Sequence, residues 1–102
     1  MDEKKCICCG KSIVTAGAIS ELRVAIDLLS KGYNVFRSLS PACPCDFVIL
    51  KDKQLLRVEV RTTHISSTGK PYKAISKHDD PIDIYAWVLP NEIIYEPFLD
   101  TL

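Results

Sequence analysis

The chain has 102 residues, of which 47% are hydrophobic and 25% charged, with 13 Lys and Arg against 13 Asp and Glu. This length provides for one compact domain and leaves no material for a second core. The zero net charge argues against a simple polyanion-binding tail, and no apolar run is long enough to span a bilayer. The charged N-terminus MDEKK lacks the apolar stretch of a signal peptide, so we expect a cytoplasmic protein.

Residues 1–14 form a cysteine-rich segment, which we separate from a single domain predicted over residues 15–102. Three of the five cysteines lie in this segment, at Cys6, Cys8 and Cys9. An odd number of cysteines in a cytoplasmic protein suits reduced thiols or a metal site better than disulfides.

The segment TAGAISELRVAIDLLSKG has the spacing of a helix and is the clearest element in the sequence. Thr15 is a residue type that caps helix starts, and Gly32 can end the helix in the left-handed conformation. The apolar residues of this segment form one stripe, which we expect to face the core: Ala18, Ile19, Leu22, Ala25, Ile26 and Leu29.

A run of strands follows this helix. Strands are predicted in YNVFRSL, in residues 46–50 and 55–62, in IDIYAWVL and in EIIYEP, each bounded by turn residues. The polar stretch between residues 64 and 81 predicts a loop, with one further short strand near residues 72–75. One helix followed by strands predicts an α+β fold, in which the helix covers a mixed, mostly antiparallel sheet.

The hairpin CDFVILKDKQLLRVEVRTT carries acidic residues inside both of its strands. If residues 51–54 form the turn, counting outward places Asp46 opposite Glu59. Residues opposed across an antiparallel pair share one face, with Cβ atoms about 4.5–5.5 Å apart. Arg57 and Arg61 lie two positions on either side of the glutamate and share that face.

Two opposed carboxylates repel each other unless a cation lies between them. One candidate cation is an arginine that bridges the acids in a surface charge ladder. The other is a divalent metal, which takes carboxylate, carbonyl and water oxygens as ligands. Both remain open, while Val58 and Val60 are expected to point the other way, into the core under the helix. Glu21 lies beside the helix stripe, between small residues, and is expected to extend along the helix flank.

In chain order, the sequence thus has a helix glutamate, an aspartate at the start of a hairpin and an acid-x-base triplet in its second strand. This order resembles the PD-(D/E)XK nuclease superfamily, especially its small homing-endonuclease and resolvase-like members. Glu21 occupies the helix position, and CDFVIL is similar to the aspartate motif through Asp46. RVEVRTT is similar to the (D/E)XK segment through Glu59 and Arg61. The resemblance spans about residues 15–97 and implies a restriction-endonuclease-like αβββ(α)β core.

This resemblance implies a metal-dependent DNA endonuclease that hydrolyses phosphodiester bonds. Asp46 and Glu59, with the backbone carbonyl of Val60, are the implied ligands of Mg²⁺ or Mn²⁺, which activates water and neutralises charge on the phosphate. Glu21 is implied to hold a metal-bound water or a second ion.

The family has lysine where this chain has Arg61. A lysine can orient the attacking water and, with a shifted pKa, exchange a proton, whereas arginine stays protonated and can only stabilise charge or grip phosphate. Three interpretations stay open. Arg61 clamps phosphate in an active nuclease, marks a nuclease-like module that binds nucleic acid or assembles without cutting, or serves as the internal counter-ion of the two acids.

Basic residues are concentrated in one part of the chain. Residues 51–78 contain seven Lys and Arg against two acids, whereas residues 79–102 contain six acids and no Lys or Arg. For a nuclease, Lys70, Lys73 and Lys77 are expected to contact phosphates of double-stranded DNA, although a solvated loop also explains them. Cutting both strands of a duplex favours a homodimer or a higher homo-oligomer, and no membrane partner is expected.

Two cysteine pairs suggest a second, structural metal. Cys6 and Cys9 lie in a C-x2-C-G-K pattern like that of a zinc knuckle, and Cys43 and Cys45 form a C-P-C pair just before the aspartate motif. Four thiolates can close a tetrahedral Zn²⁺ site that ties the N-terminal segment to this motif. Competition from Cys8, or simple burial of the cysteines as small apolar residues, is the alternative.

Overall fold

A computed structural model describes residues 4–5, 10–40, 43, 45–73 and 82–99 of the chain. It contains one helix followed by five strands. Their bounds are α1 Ile13–Ser30, β1 Asn34–Arg37, β2 Phe47–Lys51, β3 Gln54–Thr62, β4 Ile84–Val88 and β5 Ile93–Glu96. Within these ranges, no helix is both long and apolar enough to cross a membrane.

The five strands form a single sheet in the order β1-β2-β3-β4-β5. All neighbouring strands are antiparallel except β3 and β4, which run parallel. A parallel neighbour requires the chain to cross back along the sheet, which is the role of the long connection between Thr62 and Ile84. The predicted α+β fold with a mixed, mostly antiparallel sheet is confirmed. Of the short strand predicted near residues 72–75, residues 72 and 73 lie outside any strand and the rest lie outside the described residues.

Helix α1 begins two residues earlier than its sequence predicts. Ser12, rather than Thr15, is the N-cap, and its Oγ accepts a hydrogen bond of 3.1 Å from the backbone N–H of Thr15. At the other end, Gly32 has the positive φ of +91° that was expected of it. The N–H of Gly32 donates to Leu29 and that of Tyr33 to Leu28, a pairing that satisfies the last helix carbonyls.

The face of α1 that packs on the sheet is not the predicted apolar stripe. The buried residues of the helix are Ala16, Ser20, Val24 and Leu28, spaced by four, and they meet core residues from the sheet such as Ile49, Val58 and Ile84. Small and β-branched side chains let the helix approach the sheet closely. A hydrogen bond of 2.6 Å between the hydroxyls of Ser20 and Thr62 satisfies the one polar group on this face.

The predicted stripe therefore lies largely in solvent, and that expectation was wrong. Leu22, Ile26 and Leu29 remain 58%, 64% and 58% exposed. The physical reason is that α1 is apolar on two opposite faces, so periodicity alone allows either face to pack on the sheet. The face that packs on the sheet contains Ala16, Ser20 and Val24, whose smaller side chains fit close to the sheet surface. The opposite face, with its larger leucine and isoleucine side chains, would bury more apolar area but stays outside.

Candidate active site

The hairpin of β2 and β3 has the predicted register as far as Asp46. Leu50 pairs with Leu55, and the paired residues continue to Phe47 opposite Val58. Asp46 then leaves the regular ladder, because its N–H donates to the carbonyl of Val58 at 3.0 Å. Its Oδ2 accepts a hydrogen bond of 2.7 Å from the N–H of Val60. Two hydrogen bonds between Asp46 and strand β3 thus hold Asp46 beside Glu59. Asp46 and Glu59 are nevertheless not a regular cross-strand pair.

Glu21 extends from the flank of α1 to the same place. Its carboxyl group lines one cleft with that of Asp46 and lies close enough to interact with it. Burial, followed by the side-chain interaction with Asp46 and the negative charge of Asp46, raises the pKa of Glu21, and the positive charge of Arg37 opposes the rise. Two neighbouring carboxylates repel each other, and a proton or a cation between them removes that repulsion.

Glu21 and Asp46 border a polar cleft of about 230 Å³. The cleft lies between the middle of α1 and the residues that connect β1 to β2. Arg37, Cys43 and Cys45 line it together with Glu21 and Asp46. Arg37 is not among the predicted site residues, because an arginine at the end of a short strand ordinarily faces solvent.

Cys43 and Cys45 lie next to the acids with their sulfurs 3.9 Å apart. Burial is the main reason why the pKa of Cys45 rises to about 11, and contact with Cys43 and the charges of Asp46 and Glu59 add to it. A hydrogen bond with Ser38 is the main cause that lowers the pKa of Cys43. The other two cysteines of the predicted zinc site, at positions 6 and 9, lie outside the described residues.

Glu59 and Arg61 lie on β3, on the face away from the helix. Side chains alternate along β3, so Val58 and Val60 point to the opposite face, toward the helix. Val58 is fully buried and Val60 packs against the core, as the alternation predicted. Across the parallel pair, Glu59 is in register with Tyr85 and Arg61 with Trp87. Among the described residues, no three His, Cys, Asp or Glu side chains form a cluster that could hold one ion. The structure therefore joins Glu21 with Asp46 and does not bring Glu59 into one cluster with both.

Neither hairpin arginine bridges Asp46 and Glu59 within the described part of the chain. The Nε of Arg57 forms an ion pair of 3.1 Å with Asp83, whose carboxylate also accepts the N–H of Arg57 at 2.8 Å. The hydrogen bond with Arg57 is the main cause that lowers the pKa of Asp83. The Nε of Arg61 is buried without an acceptor in this part of the chain.

The three lysines of the predicted DNA contact have different surroundings. Lys70 is exposed. Lys73 forms an ion pair with Glu96 on β5. Lys77 lies outside the described residues. Next to these lysines, the rings of His64 and Tyr72 stack with centroids 5.6 Å apart. Of the two described lysines, Lys70 can therefore meet a phosphate without first losing an ion pair with another described residue.

Comparison with known proteins supports a nuclease-like fold. No protein-family model and no curated protein sequence matches the chain. Among solved structures, the bacterial homing endonuclease I-Ssp6803I is similar, with a TM-score of 0.65 and 18% sequence identity. The similarity covers 82% of this chain and 66% of that endonuclease, so the chain spans less than two thirds of its length. A likeness at this identity shows the fold, which is that of an endonuclease.

Proposed function

We propose that this chain is a metal-dependent endonuclease that hydrolyses phosphodiester bonds in DNA. The observation that carries the proposal is that the carboxyl groups of Glu21 and Asp46 line one polar cleft, where burial and their interaction raise the pKa of Glu21. Neighbouring carboxylates repel each other, and a bound cation removes that repulsion. The endonuclease-like fold supports the same conclusion.

Carboxylate and carbonyl oxygens are the hard ligands that Mg²⁺ and Mn²⁺ prefer, so the acids at this cleft and on the adjoining strand β3 suit either ion. Asp46, Glu59 and the carbonyl of Val60 are the proposed ligands, and Glu21 is proposed to hold a bound water or a second ion. When bound, the ion supplies an activated water and neutralises charge on the scissile phosphate. The hydrogen bond from the N–H of Val60 holds the carboxylate of Asp46 in a fixed orientation.

Arg61 is proposed as a phosphate clamp beside the metal. A guanidinium can donate two parallel hydrogen bonds to a phosphate, and it keeps its charge at any pH of interest. Its Nε lacks an acceptor among the described residues, which leaves it a donor without a fixed partner. Lys70, Lys73 and Lys77 are proposed to contact phosphates that flank the cut site, and a homodimer or higher homo-oligomer to deliver cuts to both strands.

The direct test is nicking of supercoiled plasmid in Mg²⁺ or Mn²⁺. We expect Asp46→Asn and Glu59→Gln to reduce the cleavage rate at least about 100-fold, because each removes an anionic oxygen from the proposed metal site. Asp46→Asn keeps an oxygen that can accept from Val60, so the local fold is preserved. Glu92→Gln, an exposed acid outside the cleft, is the matched control. Equal nicking by the wild type and both site variants contradicts the proposal.

A second candidate is a module that binds DNA without cutting it, and the arginine at position 61 favours it because arginine cannot exchange a proton. This candidate predicts DNA binding that weakens with salt, persists in EDTA and is unchanged by Asp46→Asn. The endonuclease predicts cleavage that EDTA abolishes. Binding and nicking assays on the same two proteins therefore separate the candidates.

We also propose that Cys43 and Cys45 are two ligands of a structural Zn²⁺, with Cys6 and Cys9 as the other two. Two sulfurs on one tetrahedral zinc, each about 2.3 Å from the ion, are about 3.8 Å apart. The observed separation of 3.9 Å between Cys43 and Cys45 supports a shared ion.

A further inference from the structure

The side of α1 that faces away from the sheet is apolar over its whole length. We call it the outer helix face and define it by Val14, Ala18, Leu22, Ala25, Ile26 and Leu29. Its four largest side chains are between 58% and 75% exposed and Ala18 is exposed as well, whereas Ala25 lies at the edge of the face, partly buried against the core. A helix that is apolar on opposite faces is typical of one that is covered on both sides.

The extent of the outer helix face suits a protein–protein contact. Its exposed apolar side chains together present several hundred Å², which is more than scattered surface residues and approaches the about 800 Å² per partner that stable complexes bury. Thr15 is the one polar residue among its positions in the first half of the helix. A largely apolar surface of this size comes close to the area that a dimer needs.

We propose that the outer helix face binds the same face of a second copy of this chain, with the two helices antiparallel. Ala18, Leu22, Ala25 and Leu29 are separated by four, three and four residues, the spacing at which one helix meets another in a coiled coil. Small and large side chains alternate along this row. This alternation of sizes favours a second copy of the same helix as the partner, in the antiparallel direction.

In an antiparallel pair, a two-fold axis between positions 23 and 24 places Leu22 against Ala25 of the second copy and Leu29 against Ala18 of the second copy. Each leucine of this row then meets an alanine, so the row is complementary to itself. A parallel pair instead places alanine against alanine and leucine against leucine, which leaves gaps between the alanines. Close packing therefore favours the antiparallel arrangement.

This arrangement also fixes where the two clefts lie. Glu21 is on the flank of α1, about 70° around the helix from the centre of the row at about 100° per residue. A two-fold axis perpendicular to both helices carries a flank to the same side of the pair. The two Glu21 residues consequently lie on the same side of the dimer, at the edge of the contact. The dimer itself does not depend on the proposed nuclease activity.

The first test measures the mass of the protein by sedimentation equilibrium from about 1 to 100 µM, a range that resolves a micromolar Kd. We expect a dimer for the wild type and a monomer for Leu22→Lys, which places a charge in the contact and retains helix propensity. The matched control is Leu55→Lys, an equally exposed leucine on β3, which should remain dimeric. A monomeric wild type, or a dimeric Leu22→Lys protein, overturns the proposal.

The second test uses the alternation of sizes. Ala18→Leu adds apolar area, so an unspecific hydrophobic contact should become tighter. In the antiparallel dimer it collides with Leu29 of the second copy, and we expect the Kd to rise roughly tenfold. The double variant Ala18→Leu/Leu29→Ala exchanges the two sizes and should restore the wild-type Kd to within about threefold, because the pairs are complementary again. Tighter binding by Ala18→Leu, or no recovery in the double variant, overturns the antiparallel arrangement.

Circular dichroism and thermal unfolding at low concentration show that each variant is folded. Ala18 and Leu22 are exposed and take no part in the core, so their replacement should leave the monomer intact. Plasmid nicking is not needed for either test, and a failure of the nuclease proposal therefore leaves this result standing.

Discussion

The carboxyl groups of Glu21, on the helix, and Asp46, at the entrance to β2, meet at one polar cleft although they are separated by 25 positions in the chain. Glu21 is half-buried, and burial together with Asp46 raises its pKa. The contact is therefore favourable when a proton or a cation is present and costs stability when both groups are ionised. Two predictions follow from these opposed states.

The first concerns pH. Because the pKa of Glu21 is raised on folding, the folded protein holds more protons than the unfolded chain above the ordinary glutamate value of 4.5, and stability falls as pH rises through that window. We expect Glu21→Gln to be more stable than the wild type at pH 7, by less than about 1 kcal/mol because the group is partly exposed. The difference should close below pH 4.5. Urea unfolding in EDTA from pH 4 to pH 8 measures it, with Glu92→Gln as the control. A difference that does not change with pH contradicts the assignment.

The second concerns divalent cations. A cation that binds only the folded protein at ten times its Kd stabilises it by about 1.4 kcal/mol, which raises the Tm of a domain of this size by several degrees. We expect Mn²⁺ to raise the Tm of the wild type and to leave that of Asp46→Asn unchanged. Thermal unfolding with a series of Mn²⁺ concentrations measures both. An equal shift in the two proteins would place the binding site elsewhere.

The sequence predicted the hairpin well because a turn of fixed length and alternating apolar residues determine its register. Leu50 could be paired with Leu55 on these grounds alone, and the structure has this pair. The helix face was predicted wrongly for a reason of the same kind. Val24 and Leu28 repeat with the same period as Leu22 and Ile26, and periodicity does not state which set the sheet surface accommodates.

For the candidate site, the order of the acids along the chain could be read from the sequence, but the details of their geometry could not. The sequence placed Glu21 on the flank of the helix, and the structure brings it to Asp46. It could not show that Asp46 leaves the strand ladder to accept from Val60, because that shift depends on how the turn before β2 is built. Arg37 was missed since nothing local distinguishes an arginine that enters a cleft from one in solvent.

Arg61→Lys is the substitution that tests the role of the residue at this position most directly. If Arg61 clamps phosphate next to a metal, lysine preserves the charge and can also exchange a proton, so we expect an unchanged or higher cleavage rate. Arg61→Gln removes the charge and should reduce cleavage at least about tenfold. Both rates are measured by plasmid nicking, and urea unfolding is measured in parallel. If both variants cleave like the wild type and differ only in stability, Arg61 has a structural role.

Tyr95 and Asp27 connect the helix to β5, and their hydrogen bond gives a prediction that is independent of function. Burial alone would raise the pKa of Asp27, but hydrogen bonds from Lys31 and Tyr95 outweigh it and lower the pKa. The stability that Asp27 contributes is therefore present above its ordinary value of 3.8 and is lost as pH falls through the lowered value.

We expect Tyr95→Phe to lower the free energy of unfolding by about 1–2 kcal/mol at pH 7, because it leaves Asp27 with one donor fewer. The loss should shrink as pH falls below the ordinary value of 3.8 and through the lowered pKa of Asp27. Urea unfolding at pH 7 and at the lowest pH at which the protein still folds measures the two values. Tyr72→Phe, on an exposed ring, is the control and should change neither. A loss that is the same at both pH values means that packing, rather than the carboxylate, is responsible.

The last prediction concerns zinc. A thiol whose pKa is about 11, as for Cys45, stays protonated at neutral pH, and zinc must displace its proton to bind. Zinc affinity should therefore increase with pH between 6 and 8, with release of protons that a weakly buffered titration detects. Elemental analysis should find one Zn²⁺ per chain in the wild type and in Cys8→Ser, but less than about a tenth of that in Cys43→Ser or Cys45→Ser, because three thiolates hold zinc far less tightly than four. Purified wild-type protein without zinc, folded and with thiol reactivity that a chelator does not change, would show that the two sulfurs are close for reasons of packing alone.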